Sequence, residues 1–292
     1  KLKYAIINLD KPKGPTSHQV SEYVQKLLNL KKAGHSGTLD PQVTGVQPVA
    51  LGAATRITQF LLTAPKEYIC VMHLHKEVEE PVLRAGVQKF IGKINQLPPK
   101  KSDVKRQLRV REIYEIDILE IKNKDILFRV KCQAGTYIRK LCHDLGVTLG
   151  VGAHMAQLRR SQAGPFTEND NLVTLNDLQE ALYFYHEEHN PKYLEYCLQP
   201  VEDALKFIPK CWILDTAIIS LSNGRDLGIP GISQLENFKK GDTVAIMSIK
   251  GELIAVGKSQ MSAVEINTKD KGLAIKIEKV FIPQQAKIPG QN

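Results

Sequence analysis

The chain has 292 residues, of which 42% are hydrophobic and 24% are charged, a balance that excludes a disordered chain and predicts ordinary globular folding. This length favours two domains, because single domains usually contain about 100 to 200 residues. Lysine and arginine outnumber aspartate and glutamate by 40 to 31, and the resulting net charge of +9 favours a polyanionic partner such as nucleic acid. Charge alone does not identify that partner.

The first half of the chain mixes helical and strand patterns. Residues 16–30 carry apolar side chains at Val20 and Val24 behind Thr16, which predicts an amphipathic helix with a capped N-terminus. Residues 31–41 are interrupted by glycine and proline, which predicts a loop. Further on, the patterns predict a strand at 68–74, a helix at 82–91, a hairpin of strands 113–121 and 126–132, and helices at 137–149 and 174–185. This order predicts an α+β domain built on a mixed, largely antiparallel sheet.

The last part of the chain has a different character. Short alternating runs predict strands at 243–249, 252–258 and 273–281, with glycines at the turns between them. Such spacing is typical of a small β-barrel-like domain. The Ile208-Pro209 region is the predicted boundary, which gives domains 1–207 and 208–292.

The chain contains few signals for metals, disulfides or membranes. Its five cysteines are scattered without metal-binding spacing, which predicts reduced thiols in the core. The histidines show no metal-like grouping, and no glycine-rich nucleotide motif is present, so we expect no metal and no nucleotide cofactor. The chain also has neither a long apolar run nor a leader-like start, from which we expect an intracellular location and no membrane contact.

The most informative stretch is G-H-S-G-T-L-D-P at residues 34–41, in which Asp40 precedes a proline in a glycine-bearing loop. On its own, such a sequence is more often a surface turn than a catalytic site. Four other segments favour a catalytic role for this stretch over a surface turn. They are N-L-D-K-P at 8–12 followed by Gly14, Thr16 and Ser17, K-E-Y at 66–68, G-T-Y-I-R at 135–139, and L-R-R at 158–160.

These five segments, in this order, resemble the motifs of the TruB family of pseudouridine synthases. The stretches V-K-R-Q-L-R at 104–109 and G-V-G-A-H-M at 150–155 are similar to its archaeal and eukaryotic branch. That branch comprises the dyskerin-like catalytic subunits of box H/ACA ribonucleoproteins. The resemblance implies a pseudouridine synthase fold followed by a small PUA domain, and the lack of long lysine-rich tails favours the archaeal form, hence a cytoplasmic rather than nucleolar location.

The reaction that this family catalyses breaks an N-glycosidic bond, rotates the uracil and rejoins it through carbon, so it needs no external cofactor. The resemblance implies that Asp40 is the nucleophile. Attack at the sugar C1′, attack at the base C6 and stabilisation of a glycal-forming transition state all remain open. Arg139 is the implied partner that holds Asp40 ionised and aimed. Tyr68 offers an aromatic face for the uracil and a phenol that could relay a proton.

A paired uridine must leave the base stack before it can react, so the protein also needs contacts to RNA. The basic run at 100–111 predicts a phosphate-holding loop. The predicted substrate and RNA contacts are His35, Lys66, Lys105, Arg106, Tyr137 and Leu158. By resemblance, we also expect a box H/ACA guide RNA, a substrate RNA and three small accessory proteins as partners.

Three other functions compete with this prediction. The chain could be an RNA scaffold with a vestigial pocket, which intact Asp40, Tyr68 and Arg139 argue against. It could be a carboxylate-dependent hydrolase, but nothing in the sequence nominates the second acid that such an enzyme needs. It could also be a stand-alone tRNA pseudouridine synthase of the same family, which the sequence does not distinguish from a guided enzyme.

Overall fold

The computed structural model of the protein describes residues 2–97 and 107–281. Lys105, Arg106 and most of the predicted basic loop lie outside these residues. The chain divides into two compact units, Lys1–Pro200 and Val201–Asn292. The domain boundary predicted after residue 207 lies further along the chain than this division and stays a prediction.

The first unit is built on one large sheet with helices packed against it. Its strands are β1 (Tyr4–Lys11), β2 (Ala33–His35), β3 (Thr44–Gly52), β4 (Lys66–Leu74), β5 (Gly92–Gln96), β6 (Arg109–Lys122), β7 (Asp125–Cys132), β8 (Ala153–Ala163) and β9 (Phe166–Thr167). Its helices are α1 (Ser17–Leu27), α2 (Thr58–Thr63), α3 (Glu80–Gln88), α4 (Ile138–Thr148), α5 (Leu175–Glu187) and α6 (Lys192–Cys197), with a 3-10 turn at Ala53–Ile57.

The sheet runs in the order β1-β3-β8-β4-β7-β6-β5, with β2 paired to β3 and β9 paired to β8. The β3–β8 pair is parallel, while the other pairs are antiparallel, so the predicted mixed and largely antiparallel sheet is confirmed. In the parallel pair Thr44 lies opposite Arg159 and Gly45 lies opposite Arg160. This pairing brings the end of the Asp40 loop beside the L-R-R segment, although Val46 and Arg160 are 114 positions apart in sequence.

Two apolar clusters hold the helices on the sheet. One joins β1 and β3 to α1, α5 and α6, and it contains Val20 and Val24 of α1. The other joins β4 and β7 to α3 and α4. The capped helix predicted at 16–30 forms as α1, where Thr16 and Gln19 make a reciprocal capping box. The helix ends early because Asn29 adopts a left-handed φ of 47°.

Several predicted boundaries need correction. The loop predicted at 31–41 contains the short strand β2, which pairs with β3. The basic loop predicted to reach Arg111 ends sooner, because Arg109 already pairs with Gln96 at the start of β6. Strands β3 and β8 were not predicted: β3 is buried on both faces and so does not alternate, and β8 is rich in polar residues.

The second unit contains a six-stranded mixed sheet in the order β11-β15-β14-β13-β10-β12. The strands are β10 (Lys210–Ile213), β11 (Leu227–Gly228), β12 (Ile232–Leu235), β13 (Thr243–Ser248), β14 (Leu253–Ser259) and β15 (Leu273–Val280), and the helices are α7 (Asp215–Ser222) and α8 (Ala263–Asn267), with 3-10 turns at Val201–Leu205 and Ile229–Gly231. The three strands predicted in this region form as β13, β14 and β15. A separate apolar cluster fills this unit.

All five cysteines are free and buried, as predicted. The Sγ atoms of Cys70 on β4 and Cys142 on α4 lie 3.6 Å apart. Among the side chains that the structure describes, no group of three or more His, Cys, Asp or Glu is placed to hold a metal ion. Within residues 2–97 and 107–281, no helix is long and apolar enough to cross a membrane.

Candidate active site

Asp40 lies on the segment that connects β2 to β3, close to the parallel β3–β8 pair. Its carbonyl accepts a hydrogen bond from the Val43 amide at 3.0 Å, and the Gly14 amide donates to the Pro41 carbonyl at 2.8 Å. Gly45 has a φ of +104°, and a Cβ there would lie 2.2 Å from the carbonyl oxygen of Arg160. Only glycine therefore allows the loop to enter β3 so close to β8.

Lys11, from the N-L-D-K-P segment, supports the loop from the end of β1. Its side chain is fully buried, and its ammonium donates to the carbonyls of Pro12, Pro41 and Val43 at 2.9, 3.2 and 2.9 Å. Burial lowers the pKa of Lys11, and the Arg160 charge lowers it further, whereas the Asp40 carboxylate acts in the opposite direction. Lys11 thereby ties β1 to the stretch that directly follows Asp40, a role that the sequence did not predict.

Ser17, at the start of α1, holds the residue before Asp40. Its hydroxyl accepts a hydrogen bond from the Leu39 amide at 2.8 Å and lies 3.3 Å from the Leu39 carbonyl oxygen, to which it donates. Ser17 is itself buried, and its carbonyl accepts from the side chains of Ser21 and Gln47. The capped N-terminus of α1 is therefore joined to the loop by buried polar contacts.

Arg160 completes the support of the loop from β8. It is only 1% exposed, and it donates to the Val46 carbonyl at 2.7 Å and from two nitrogens to the Gly37 carbonyl at 3.3 Å. Arg159 points to the other face of the strand, where it binds both carboxylate oxygens of Asp10 at 3.0 and 2.9 Å. Alternation along β8 thus gives two neighbouring arginines different partners.

Asp40 meets Arg139, which lies in the first turn of α4. The Arg139 Nη2 contacts the Asp40 Oδ2 in an ion pair between residues 99 positions apart in sequence. Both side chains are 55% exposed, so the pair lies at the protein surface above the buried contacts of the loop. The structure brings together the carboxylate and the cation that the motifs nominated, while their catalytic roles stay predictions.

Tyr68 on β4 lies directly opposite Arg160 in the sheet register. Burial raises the pKa of the Tyr68 phenol, while the charge and hydrogen bond of Arg160 act against this rise and the Asp40 carboxylate adds to it. The phenol is therefore neutral at pH 7 and lies within the electrostatic reach of Asp40. This placement is consistent with stacking and with proton relay.

His35 lies beside the loop, where its Nδ1 is 3.0 Å from the Ser21 hydroxyl. Burial lowers the pKa of His35, and the charges of Arg160 and His18 lower it further. The imidazole is therefore neutral at pH 7. Its predicted RNA contact stays a prediction, and a neutral ring favours hydrogen bonding to the nucleotide over ion pairing with a phosphate.

Lys66 requires a correction. It was predicted to contact RNA, but it is only 5% exposed and its ammonium donates to the carbonyls of Leu61 and Ala64 at 2.7 and 2.8 Å. It thus caps the end of α2. Burial, together with the charge of Arg160, lowers the pKa of Lys66 to about 7.

The structure does not test the RNA contacts predicted for Leu158 and Tyr137. Leu158 is half-buried on the same face of β8 as Arg160 and packs with Tyr68 against the core. Tyr137 is half-buried and directly precedes α4. Contact with RNA stays a prediction for both.

Four family models match successive parts of the chain. Residues 25–138 match the TruB family pseudouridylate synthase N-terminal domain, residues 139–206 match the tRNA pseudouridylate synthase B C-terminal domain, and residues 209–281 match the PUA domain. Residues 1–21 match the DKCLD domain.

Two archaeal relatives illustrate the similarity in sequence. The probable tRNA pseudouridine synthase B of Pyrococcus abyssi is 52% identical over 284 residues, which cover 97% of this chain and 85% of that protein. The protein of the same name from Methanothermobacter thermautotrophicus is 52% identical over 282 residues, which cover 96% of this chain and 87% of that protein.

Solved structures extend the similarity to the backbone. A Cbf5-Nop10-Gar1 complex contains a chain that superimposes with a TM-score of 0.94 at 50% identity, covering 97% of this chain and 87% of that one. An H/ACA RNP bound to a substrate RNA containing 2′-deoxyuridine contains another, with a TM-score of 0.91 at 49% identity and coverage of 97% and 86%.

Proposed function

Because the chain belongs to the TruB family of pseudouridine synthases, we propose that it isomerises specific uridines in RNA to pseudouridine as the catalytic subunit of a box H/ACA ribonucleoprotein. Family membership confirms the predicted fold, a pseudouridine synthase domain followed by a PUA domain. The observation that carries the proposal is the Asp40–Arg139 ion pair on a loop with buried support.

In the proposed reaction, Asp40 supplies the carboxylate and Arg139 aims it. The bond between uracil N1 and the sugar C1′ breaks, and C1′ then bonds to C5 of the rotated base. The C5 proton is lost to solvent, and N1 gains a proton, so no atom of the nucleotide other than exchangeable hydrogen leaves. We propose that the neutral phenol of Tyr68, which lies opposite Arg160, stacks on the uracil and relays one of these protons. Attack at C1′, attack at C6 and the glycal route all remain compatible with this geometry.

Binding of RNA would change the electrostatics of the ion pair. In the free chain, water screens Asp40 and Arg139 because both are half-exposed. A flipped uridine that covers them excludes this water and strengthens their attraction. We propose that the basic segment around Lys105 and Arg106 and the PUA domain hold the RNA in place while this occurs.

The structural matches support guide RNA and small accessory proteins as partners, because a Cbf5-Nop10-Gar1 complex and an H/ACA RNP contain chains with nearly the same backbone. The names of the sequence relatives favour a second candidate, a tRNA pseudouridine synthase. We propose that such an enzyme would act without a guide. Either activity acts on RNA inside the cell.

Tritium release from RNA containing C5-labelled uridine tests the proposal directly, because the C5 proton is exchanged in every turnover. We expect release from an rRNA fragment paired to a box H/ACA guide in the complex assembled with accessory proteins. The same chain is assayed alone on a tRNA transcript. Equal rates without a guide would favour the stand-alone enzyme, and no release in either assay would refute both.

A further inference from the structure

Gln96, the last residue of β5, is buried against the start of α4 and has no role in the chemistry described above. It is 1% exposed. Its side-chain oxygen accepts a hydrogen bond from the Tyr137 amide at 2.9 Å, and its side-chain nitrogen donates to the Tyr137 carbonyl at 3.1 Å. One amide side chain therefore satisfies both backbone groups of a residue 41 positions away in sequence.

Tyr137 is the N-cap residue of α4, and no side chain within the turn caps this helix. Helix N-termini are commonly stabilised by such a local cap. Here the N-cap residue is instead held from β5 through Gln96, while the apolar face of α4 packs on the sheet. A second contact helps, because the Arg111 Nε of β6 donates to the Gly135 carbonyl at 3.2 Å. Gly135 has a φ of +78°, which a side chain would strain.

Arg139 follows Tyr137 by two residues and reaches Asp40 from the first turn of α4. Its side chain is 55% exposed, so packing around the guanidinium does little to fix its position. An exposed ion pair of this kind is weak by itself and cannot set the direction of a helix. The place of Arg139 is therefore determined by where the backbone of α4 begins.

From these contacts we infer that Gln96 is a positioning residue for the reaction, which sets the start of α4 so that Arg139 aligns the Asp40 carboxylate. The inference rests on the proposed function. It predicts a loss in the chemical step rather than in RNA binding, because a shift on the order of 1 Å in a catalytic group can lower a rate by about a hundredfold.

Gln96→Glu separates this role from a general loss of packing. The ionised carboxylate still accepts from the Tyr137 amide, but it cannot donate to the Tyr137 carbonyl. Protonation restores that donor. Burial raises the pKa of such a carboxyl into the range where the assay can follow it. Gln96→Met has a similar length and neither polar group, so its defect has no reason to depend on pH.

The measurement is single-turnover tritium release at saturating enzyme in the assembled guide complex, with RNA affinity measured separately. At pH 8, we expect Gln96→Glu to react about 10- to 100-fold more slowly than wild type, with RNA affinity within about threefold. Between pH 8 and pH 6, the ratio of the wild-type rate to the variant rate should shrink at least about fivefold. Gln96→Met should stay slow throughout.

Gln199→Glu is the matched control, since Gln199 is also buried and donates to a backbone carbonyl, that of Asp170, but lies outside the site. A ratio that shifts with pH in the same way for this control would overturn the inference, as would a fully active Gln96→Met or a loss confined to RNA affinity. Failure of the proposed function would look different, because the wild type itself would then release no tritium.

Discussion

The loop that carries Asp40 and the ion pair that Asp40 makes differ in how they are held. Lys11, Ser17 and Arg160 support the loop through buried hydrogen bonds to backbone carbonyls and amides. The Asp40–Arg139 pair above it is half-exposed. The comparison indicates that buried contacts fix the position of the loop that carries the Asp40 carboxylate already in the free protein. The attraction between Asp40 and Arg139 reaches its full strength only when bound RNA excludes water.

Asp40→Asn is the strongest test of this difference between the buried loop contacts and the exposed ion pair. It keeps the shape of the side chain but removes the carboxylate that we propose as the nucleophile, so we expect turnover to fall by a factor on the order of a thousand or more. Because Asp40 is exposed, the free energy of unfolding should change by less than about 1 kcal/mol and RNA affinity by less than about threefold. Tritium release, denaturant unfolding and RNA binding are measured on the same preparation. Activity within tenfold of wild type would refute the assignment of Asp40.

Tyr68→Phe examines a residue between the two regions, since Tyr68 contacts buried Arg160 and is also influenced by the Asp40 carboxylate. The ring is retained and the hydroxyl is lost, so we expect stacking to persist and the single-turnover rate to fall about a hundredfold. RNA affinity should remain near that of wild type. If the rate did not change, Tyr68 would be only a packing residue.

Arg160→Met sharpens the comparison through stability. The variant leaves the carbonyls of Gly37 and Val46 without their buried donor, which should lower the free energy of unfolding by about 2 to 4 kcal/mol. Arg139→Met is the matched control: it breaks an exposed pair and should cost less than about 1 kcal/mol while still reducing turnover. Equal losses of stability in the two variants would show that the buried contacts of Arg160 stabilise the fold no more than the exposed Asp40–Arg139 ion pair does.

Lys66→Met gives the smallest expected effect and tests the corrected role of this residue. In the folded protein, the pKa of Lys66 is lowered to about 7 from an ordinary value of 10.5. Between these values the unfolded chain binds more protons than the folded chain, so Lys66 makes stability rise with pH across this window.

We expect the rise in wild type to exceed that in the variant by roughly 1 to 3 kcal/mol, as measured by urea unfolding at several pH values. RNA affinity should stay within about twofold of wild type, because the ammonium is not at the surface. A large loss of affinity with unchanged pH dependence would return Lys66 to the RNA-binding surface.

Local signals made part of the fold predictable. The capping residues Thr16 and Gln19 are near neighbours in sequence, and β7, the strand that follows Asn123, alternates regularly. Strand β3 could not be found in this way because both of its faces are buried. Its burial depends on strands and helices that lie far away along the chain.

The candidate site shows the same limit. Motif order nominated Asp40 and Arg139, which the structure places in contact. It did not reveal that the ammonium groups of Lys11 and Lys66 donate hydrogen bonds to backbone carbonyls. Nor did it reveal that the Gln96 side chain hydrogen-bonds to the backbone of Tyr137. Such contacts depend on where distant carbonyls point, and the spacing of residue types carries no information about that direction.

The burial of every cysteine gives this protein built-in reporters of local unfolding. Burial raises the pKa of Cys132 to about 12, that of Cys197 to about 11 and that of Cys211 to about 12, so these thiols are protonated and shielded in the folded state. A maleimide reagent can therefore reach them only when the surrounding structure opens. Cys211 samples the second compact unit and the other four sample the first, so mass spectrometry of labelled peptides can compare the opening rates of the two units without any substitution.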